Sequence, residues 1–387
     1  MKIDKVNIYP IDLSFTGDYS ISRKKGLKAH NVVIEVISTK DNIKGYGEGA
    51  PVKFVTGETQ EGTVRNALDF VKERAFPWKL DDVSQIWDYV ESLPNEKETS
   101  SAICALETAL LDALGKYQNQ YIVDYLPQEY LTNIIHYGAT ISLGNRKRIT
   151  QIYKMIKDLK INKIRIKFDK DFKRNEEALK TVRKLFGDGC DLRVDPNGVW
   201  NQEQAIKHIP LIKEYGVRVL EEPMNQADPG FPGFLEKVKD CGVILMACES
   251  APTLNEVKNI IQDGHYQMIN VKLSRSGGFR RALRIIELIR NVGLTFQIGC
   301  SLGESGILSA GGRALGLVCS DSVYYDGSYD RFLLNENTTE EDVSFGTEGK
   351  AGPLAGYGLG VRVNENNLKK LSNGPEIIKI RNPNNQG

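Results

Sequence analysis

NKIRIKF at 162–168, DLRVDP at 191–196, VRVLEEP at 217–223, VILMACES at 243–250 and MINVKLS at 268–274 are five short β-rich runs. Between them lie amphipathic helical stretches of about a dozen residues, such as QAIKHIPLIKEYG at 204–216 and FRRALRIIELIRNVG at 279–293. Strand alternating with helix predicts a parallel sheet. Working outward, IIHYGATIS at 134–142 precedes the series, and TFQIGCS at 295–301 and SVYYDGS at 322–328 follow it. Eight such strands in about 200 residues make the quota of a closed barrel, whose active site lies at the C-terminal strand ends. An open doubly wound sheet is the alternative, but no G-x-G-x-x-G follows a first strand.

The first 125 or so residues read differently, as α+β. Lys2–Leu13 alternates as a strand, Asn31–Ser38 makes a second and Gly45–Glu48 a third. Helical periodicity covers Glu58–Glu73 and Ser101–Tyr117, the latter with a stripe of Ala102, Ala105, Leu106, Ala109, Leu110 and Ala113. The expected organisation is a capping domain at 1–125, a barrel at 126–353, and a Gly- and Asn-rich tail at 354–387 returning to the cap. The net charge of +1 favours neither nucleic acid nor an anionic membrane as partner. No apolar run is long enough for a bilayer span, and MKIDKVNIYPIDLSF lacks the apolar core of a secretory signal. Six scattered cysteines without a C-x-x-C pair suit a reduced, cytoplasmic protein. A homo-oligomer acting on a small molecule is expected.

Most strands end in an ionisable residue or a thiol: Lys167, Asp195, Glu221, Cys248-Glu249, Lys272, Cys300 and Asp326, at steps of about 24 to 28 residues. Convergence at the barrel mouth would gather them around one small volume. In KIRIK a period of two puts Lys163, Arg165 and Lys167 on one face. If that face is interior, the cations need anions nearby, and Asp195 and Glu221 are the candidates. These two acids also offer the oxygen ligands that Mg²⁺ prefers. An ion there would bind a substrate carboxylate and stabilise charge developing as the α-proton leaves. Lys272 shares a face with Asn270, across the barrel from Lys167. Neighbouring cations and shielding from water are expected to lower its pKa toward that of a general base. Two bases on opposite faces of a planar intermediate would permit racemisation or epimerisation.

GEGAP at 47–51, TGET at 56–59 and the SAICALETALLDALGK helix resemble the capping domain of the enolase superfamily. The strand-end series R-x-K, D-x-N, E-x-P, x-E-S and N-V-K-L-S-R-S-G-G resembles its muconate-lactonising-enzyme subgroup over nearly the whole chain. The resemblance implies a (β/α)7β barrel of the TIM type with an α+β cap, and Mg²⁺-assisted proton transfer next to a carboxylate. Lys167 and Lys272 would be the paired bases, with Arg165 supplying charge where the family has another lysine. Asp195 and Glu221 would be metal ligands. The third ligand, an aspartate in the family, is Cys248 here, so Glu249 is expected to replace it. A thiolate there would instead favour Mn²⁺ or another divalent ion. APVKFVTGET and Thr140 look closest to dipeptide epimerases. Asn197, Asn270, Cys300 and Glu304 are expected around the substrate, although Glu304 is shifted by one residue against the usual run. Asp326 would be half of the D-x-D that holds a substrate ammonium in those enzymes.

The leading expectation is an epimerase or racemase of an amino-acid derivative or dipeptide. The incomplete D-x-D leaves open a cycloisomerase or a β-eliminating dehydratase, of the o-succinylbenzoate-synthase kind, through the same enediolate. Cys248 also leaves open a barrel that only binds. Specificity is expected from the loops Phe15–Lys25 and Ala50–Gly57, with Ser20, Ser22, Arg23, Lys24 and Lys25 facing an acidic or polar substrate tail.

Overall fold

The computed structural model describes residues 1–16, 20–21, 24–25, 28–73, 76–142, 146–372 and 377–385. The N-terminal sheet is antiparallel and formed by β1 (Lys5–Ser14), β2 (Lys28–Ser38) and β3 (Ile43–Gly49). Register pairs Val6 with Val36 and Ile8 with Ile34, so one apolar face is shared across the sheet. Helix α1 (Gln60–Glu73) starts two residues later than its periodicity predicts. Glu58 is instead buried, accepting hydrogen bonds from the amide and hydroxyl of Ser101 at 2.7 and 2.8 Å. The side chains of 17–27, on which the expected substrate-tail contact falls, lie outside the described residues.

Helix α2 (Ser84–Ser92) precedes α3 (Ser100–Gln118), which lies directly on β3. The small residues expected to form one stripe are part of a helix buried on every side from Ser100 to Gly115. The sheet covers one face of α3. On another, Glu107 accepts the amides of Phe279 and Arg280, tying α3 to a barrel helix. Close approach is possible because β3 is glycine-rich: a Cβ on Gly47 would sit 2.1 Å from the carbonyl oxygen of Ala105.

All eight strands of the expected barrel form, in sequence order and parallel. They are β4 (Ala139–Ile141), β5 (Lys163–Lys167), β6 (Asp191–Asp195), β7 (Val219–Glu221), β8 (Ile244–Ala247), β9 (Met268–Lys272), β10 (Thr295–Gly299) and β11 (Tyr324–Tyr325). A parallel bridge between Tyr137 and Tyr325, with the Gly138 amide 2.8 Å from the Tyr325 carbonyl, closes the ring. Helices α4 (Arg146–Asp158), α5 (Phe172–Phe186), α6 (Gln202–Glu214), α7 (Phe231–Val238), α8 (Leu254–Asp263), α9 (Phe279–Asn291) and α10 (Gly306–Leu317) occupy the crossovers. The strand β12 (Ile378–Arg381) pairs antiparallel with β1. Among the described residues, no helix is long and apolar enough to cross a membrane.

Candidate active site

Register places Lys167 beside Asp195 at the ends of β5 and β6. The period-two reading of KIRIK puts its three cations inside the barrel. Lys163 donates to the Val323 carbonyl at 2.9 Å near the closed end, and Arg165 is almost wholly buried above it. Lys167 is partly exposed at the mouth. The anions that such burial requires are present. Arg165 Nη1 lies 2.9 Å from Glu221 Oε2 and 3.6 Å from Asp195 Oδ2. Lys167 Nζ donates to Asp195 Oδ2 and, at 2.9 Å, to Asn197 Oδ1.

These contacts set the charge states. Burial would raise Glu221, but Arg165, Lys167 and Lys272 outweigh it and hold the carboxyl well below the usual range. Asp195 moves the other way, to about 6, because burial and the neighbouring charges of Glu221 and Glu249 exceed the pull of Lys167 and Arg165. Lys272 departs from the sequence reading. Burial alone would lower it, yet its acidic surroundings, with Glu249 and Glu221 among them, raise it above an ordinary lysine. The acids around Lys272 count for more than the cations that were expected to depress it.

One cavity of about 1290 Å³ opens between the cap and the barrel mouth, somewhat larger than usual for a small-molecule site. Lys167, Lys272, Arg165, Thr140, Asn197, Glu249, Cys300 and Glu304 all line it, brought together from positions as far apart in the chain as Thr140 and Glu304. Residues 50–56, part of the expected specificity loop, form its cap-side wall. Thr140 Oγ1 accepts from the Arg165 guanidinium at 3.2 and 3.3 Å.

Two residues expected beside the substrate lie elsewhere. Asp326 is not among the lining residues: Arg193, wholly buried and stacked over Tyr324, grips it with two hydrogen bonds of 2.9 and 3.1 Å. Arg165 Nε adds a contact of 3.4 Å. Asn270 is likewise buried beneath the floor, donating to Glu221 Oε1 at 2.8 Å. Sequence reading assigned no role to Arg193, whose inward position follows from the same period of two that placed Arg165. Arg275 was also missed. It sits three residues after Lys272, lines the cavity and points Nη1 at Cys248 Sγ, 3.3 Å away.

Cys248 has no access to solvent, and burial with the charge of Glu249 raises its thiol well above the usual value. It therefore holds its proton rather than offering a thiolate. Glu249 is better suited as a ligand. Its Oε1 accepts from Asn197 Nδ2 at 2.8 Å, while its Oε2 is buried without a hydrogen-bond partner among the described residues. The left-handed backbone of Glu222 (φ 37°) separates two successive acids. Glu221 faces the barrel axis, and Glu222 turns back to accept the amides of Cys248 and Ser250 at 2.7 and 3.2 Å. Among the described residues no three His, Cys, Asp or Glu side chains are grouped to hold a metal as they stand. Lys167 and Arg165 draw Asp195 and Glu221 toward themselves. The donor set nonetheless fits a hard divalent ion: three carboxylates in one another's field, one with an unpartnered buried oxygen.

The family profile described as Mandelate racemase / muconate lactonizing enzyme, N-terminal domain matches residues 6–126, and that described as Enolase C-terminal domain-like matches residues 147–367. A hydrophobic dipeptide epimerase of Enterococcus faecalis is 25% identical over 79% of this chain and 84% of its own. The crystal structure of an N-succinyl Arg/Lys racemase from Bacillus cereus superposes with a TM-score of 0.86 at 19% identity, covering 98% of this chain and 100% of that one. A dipeptide epimerase from Cytophaga hutchinsonii, solved with Mg and the dipeptide D-Ala-L-Val, gives 0.81 at 23% identity, covering 98% and 100%.

Proposed function

We propose that this chain, which belongs to the mandelate racemase / muconate lactonizing enzyme family of the enolase superfamily, is an epimerase or racemase of a dipeptide or other amino-acid derivative, with Lys167 and Lys272 as its two proton-transfer groups. One observation carries the assignment of the lysines: both line the same cavity from the second and sixth of eight strands, on opposite sides of the ring. A substrate α-carbon between them would present one face to each. Lys272, held protonated by its acidic neighbours, is poised to deliver a proton to one face. Lys167, fixed by Asp195 and Asn197, is placed to take one from the other, and the roles reverse for the opposite antipode. Arg165 keeps positive charge at the floor of the cavity throughout.

Asp195, Glu221 and Glu249 would hold Mg²⁺, in keeping with the ion in the Cytophaga hutchinsonii complex. When bound, the ion supplies electrostatic stabilisation to a substrate carboxylate gaining charge. The proposal includes a small-molecule carboxylate as partner, self-association, and a cytoplasmic location, the last supported by six unpaired cysteines.

Incubation in deuterated water with a panel of dipeptides and N-acyl amino acids tests the reading. Deuterium should enter the α-position of a substrate without change of connectivity. Lys167→Ala and Lys272→Ala should each stop inversion, with rates falling about 10²- to 10⁴-fold. Full turnover in both variants would end the assignment, and a product of altered connectivity would point to the cycloisomerase or elimination route.

A further inference from the structure

Two acids in the cavity wall take no part in the chemistry above. Glu304 follows β10 and Asp330 follows β11, and both line the cavity. Glu304 is 8% exposed and accepts the Ser301 amide. Burial pushes its carboxyl up to about 8; Glu48 and Asp330 reinforce the shift, while Lys272 opposes it. Asp330 is 2% exposed, and one of its oxygens accepts from Asn337. The other, Oδ1, is buried and makes no hydrogen bond of good geometry among the described residues; the Ser309 hydroxyl, itself without one, is the protein group that faces it. Among the described residues no ion pair joins either carboxylate to a protein cation, including Lys28, His30 and Lys53 on the cap wall. Two buried acids in each other's field, neither held in an ion pair, have too little positive charge beside them, Lys272 offsetting the shift of Glu304 only in part.

Asp326 cannot fill the same role for a ligand, because Arg193 and Arg165 already consume its oxygens beneath the floor. We propose that Glu304 and Asp330 form a receptor for a positively charged group of the substrate. That group is a primary ammonium, either the free amino terminus of a dipeptide or the end of a lysine-like side chain. The inference rests on the proposed reaction for the other end of the substrate, whose carboxylate lies toward Lys167 and Lys272. Binding the ammonium returns both acids to their ionised form and satisfies Asp330 Oδ1.

Four compounds test it: L-Ala-L-Leu and its N-acetyl form, and Nα-acetyl-L-lysine and its Nε-acetyl form. Each is assayed for α-deuteration with Mg²⁺ present and for binding by calorimetry, which needs no turnover. Wild-type protein should favour at least one free amine over its acetylated twin by tenfold or more, and the pair that discriminates identifies which amine is read. That ratio should collapse toward one in Asp330→Asn and in Glu304→Gln, with melting temperature checked for each. Gln retains a hydrogen-bond donor, so a ratio preserved in Glu304→Gln would mean that the neutral acid acts there and would overturn the proposal. So would wild-type protein that ignores acetylation. An amine preference in binding without deuteration of any compound would support the receptor and count against the proposed reaction. Deuteration without preference would do the reverse.

Discussion

Arg165 Nη1 and Glu221 Oε2 are 2.9 Å apart inside the barrel, both shielded from water, and this pair governs the charge of the floor. The same guanidinium reaches Asp326, so its removal leaves two buried carboxylates short of a partner. Arg165→Met should destabilise the fold by about 3–5 kcal/mol. Arg165→Lys should recover only part, because an ammonium cannot span both acids. Urea unfolding of the three proteins measures the difference, and a neutral Arg165→Met would show the pair to be dispensable.

Cys248 faces Arg275 and Asn270 with its thiol protonated, so it is expected to add little to metal affinity. Calorimetry with Mg²⁺ should find Cys248→Ala close to wild type. Cys248→Asp, which adds a hard oxygen donor beside the existing acids, should bind at least about tenfold more tightly. Loss of binding in Cys248→Ala would instead make the sulfur a ligand.

Glu107 ties α3 to α9, and its protonation couples that joint to pH. Burial pushes its carboxyl from 4.5 up to about 8, against the amides of Arg280 and Phe279, which pull it down. The folded state then binds this proton more tightly than the unfolded chain. The stabilisation is complete below about pH 4.5 and is lost as pH rises through about 8. Relative to Glu107→Gln, which cannot titrate, wild-type protein should lose a few kcal/mol, to order of magnitude, between pH 5 and 8.5. Unfolding at both pH values checks the slope.

Gly47 lets β3 rest on the backbone of α3. A methyl there would meet Ala105 O at 2.1 Å and Ala109 N at 2.5 Å, both main-chain atoms. Gly47→Ala should therefore cost about 1–3 kcal/mol. Gly187→Ala makes a useful contrast, since nothing lies within 4 Å of its added carbon; there the cost comes from a φ of 72° alone.

Much of this was legible in the residue order. The period of two in KIRIK placed Arg165 and Lys167 on one shared face, and the strand-helix rhythm, if it closed a barrel, placed Lys272 across from them. Helix α3 was less legible, because a stripe of small residues reports the face that touches the sheet and says nothing of a barrel covering the rest. Asp330 carried no signal at all, lying five residues beyond the end of β11 at the start of a one-turn helix, Asp330–Leu333, too short to show a periodicity.

What the chain alone determined is position: which strands form, in what order, and which side chains point to the axis. Those follow from local alternation and the steric limits of a parallel βα repeat. Partnership was decided only by the tertiary structure. Asp326 belongs to Arg193 rather than to a ligand, Cys248 faces Arg275, and acids rather than cations set the charge of Lys272. In a buried site of low dielectric, the energy of each charge depends on distances of a few ångströms between strands far apart in sequence, and no one-dimensional pattern encodes those distances.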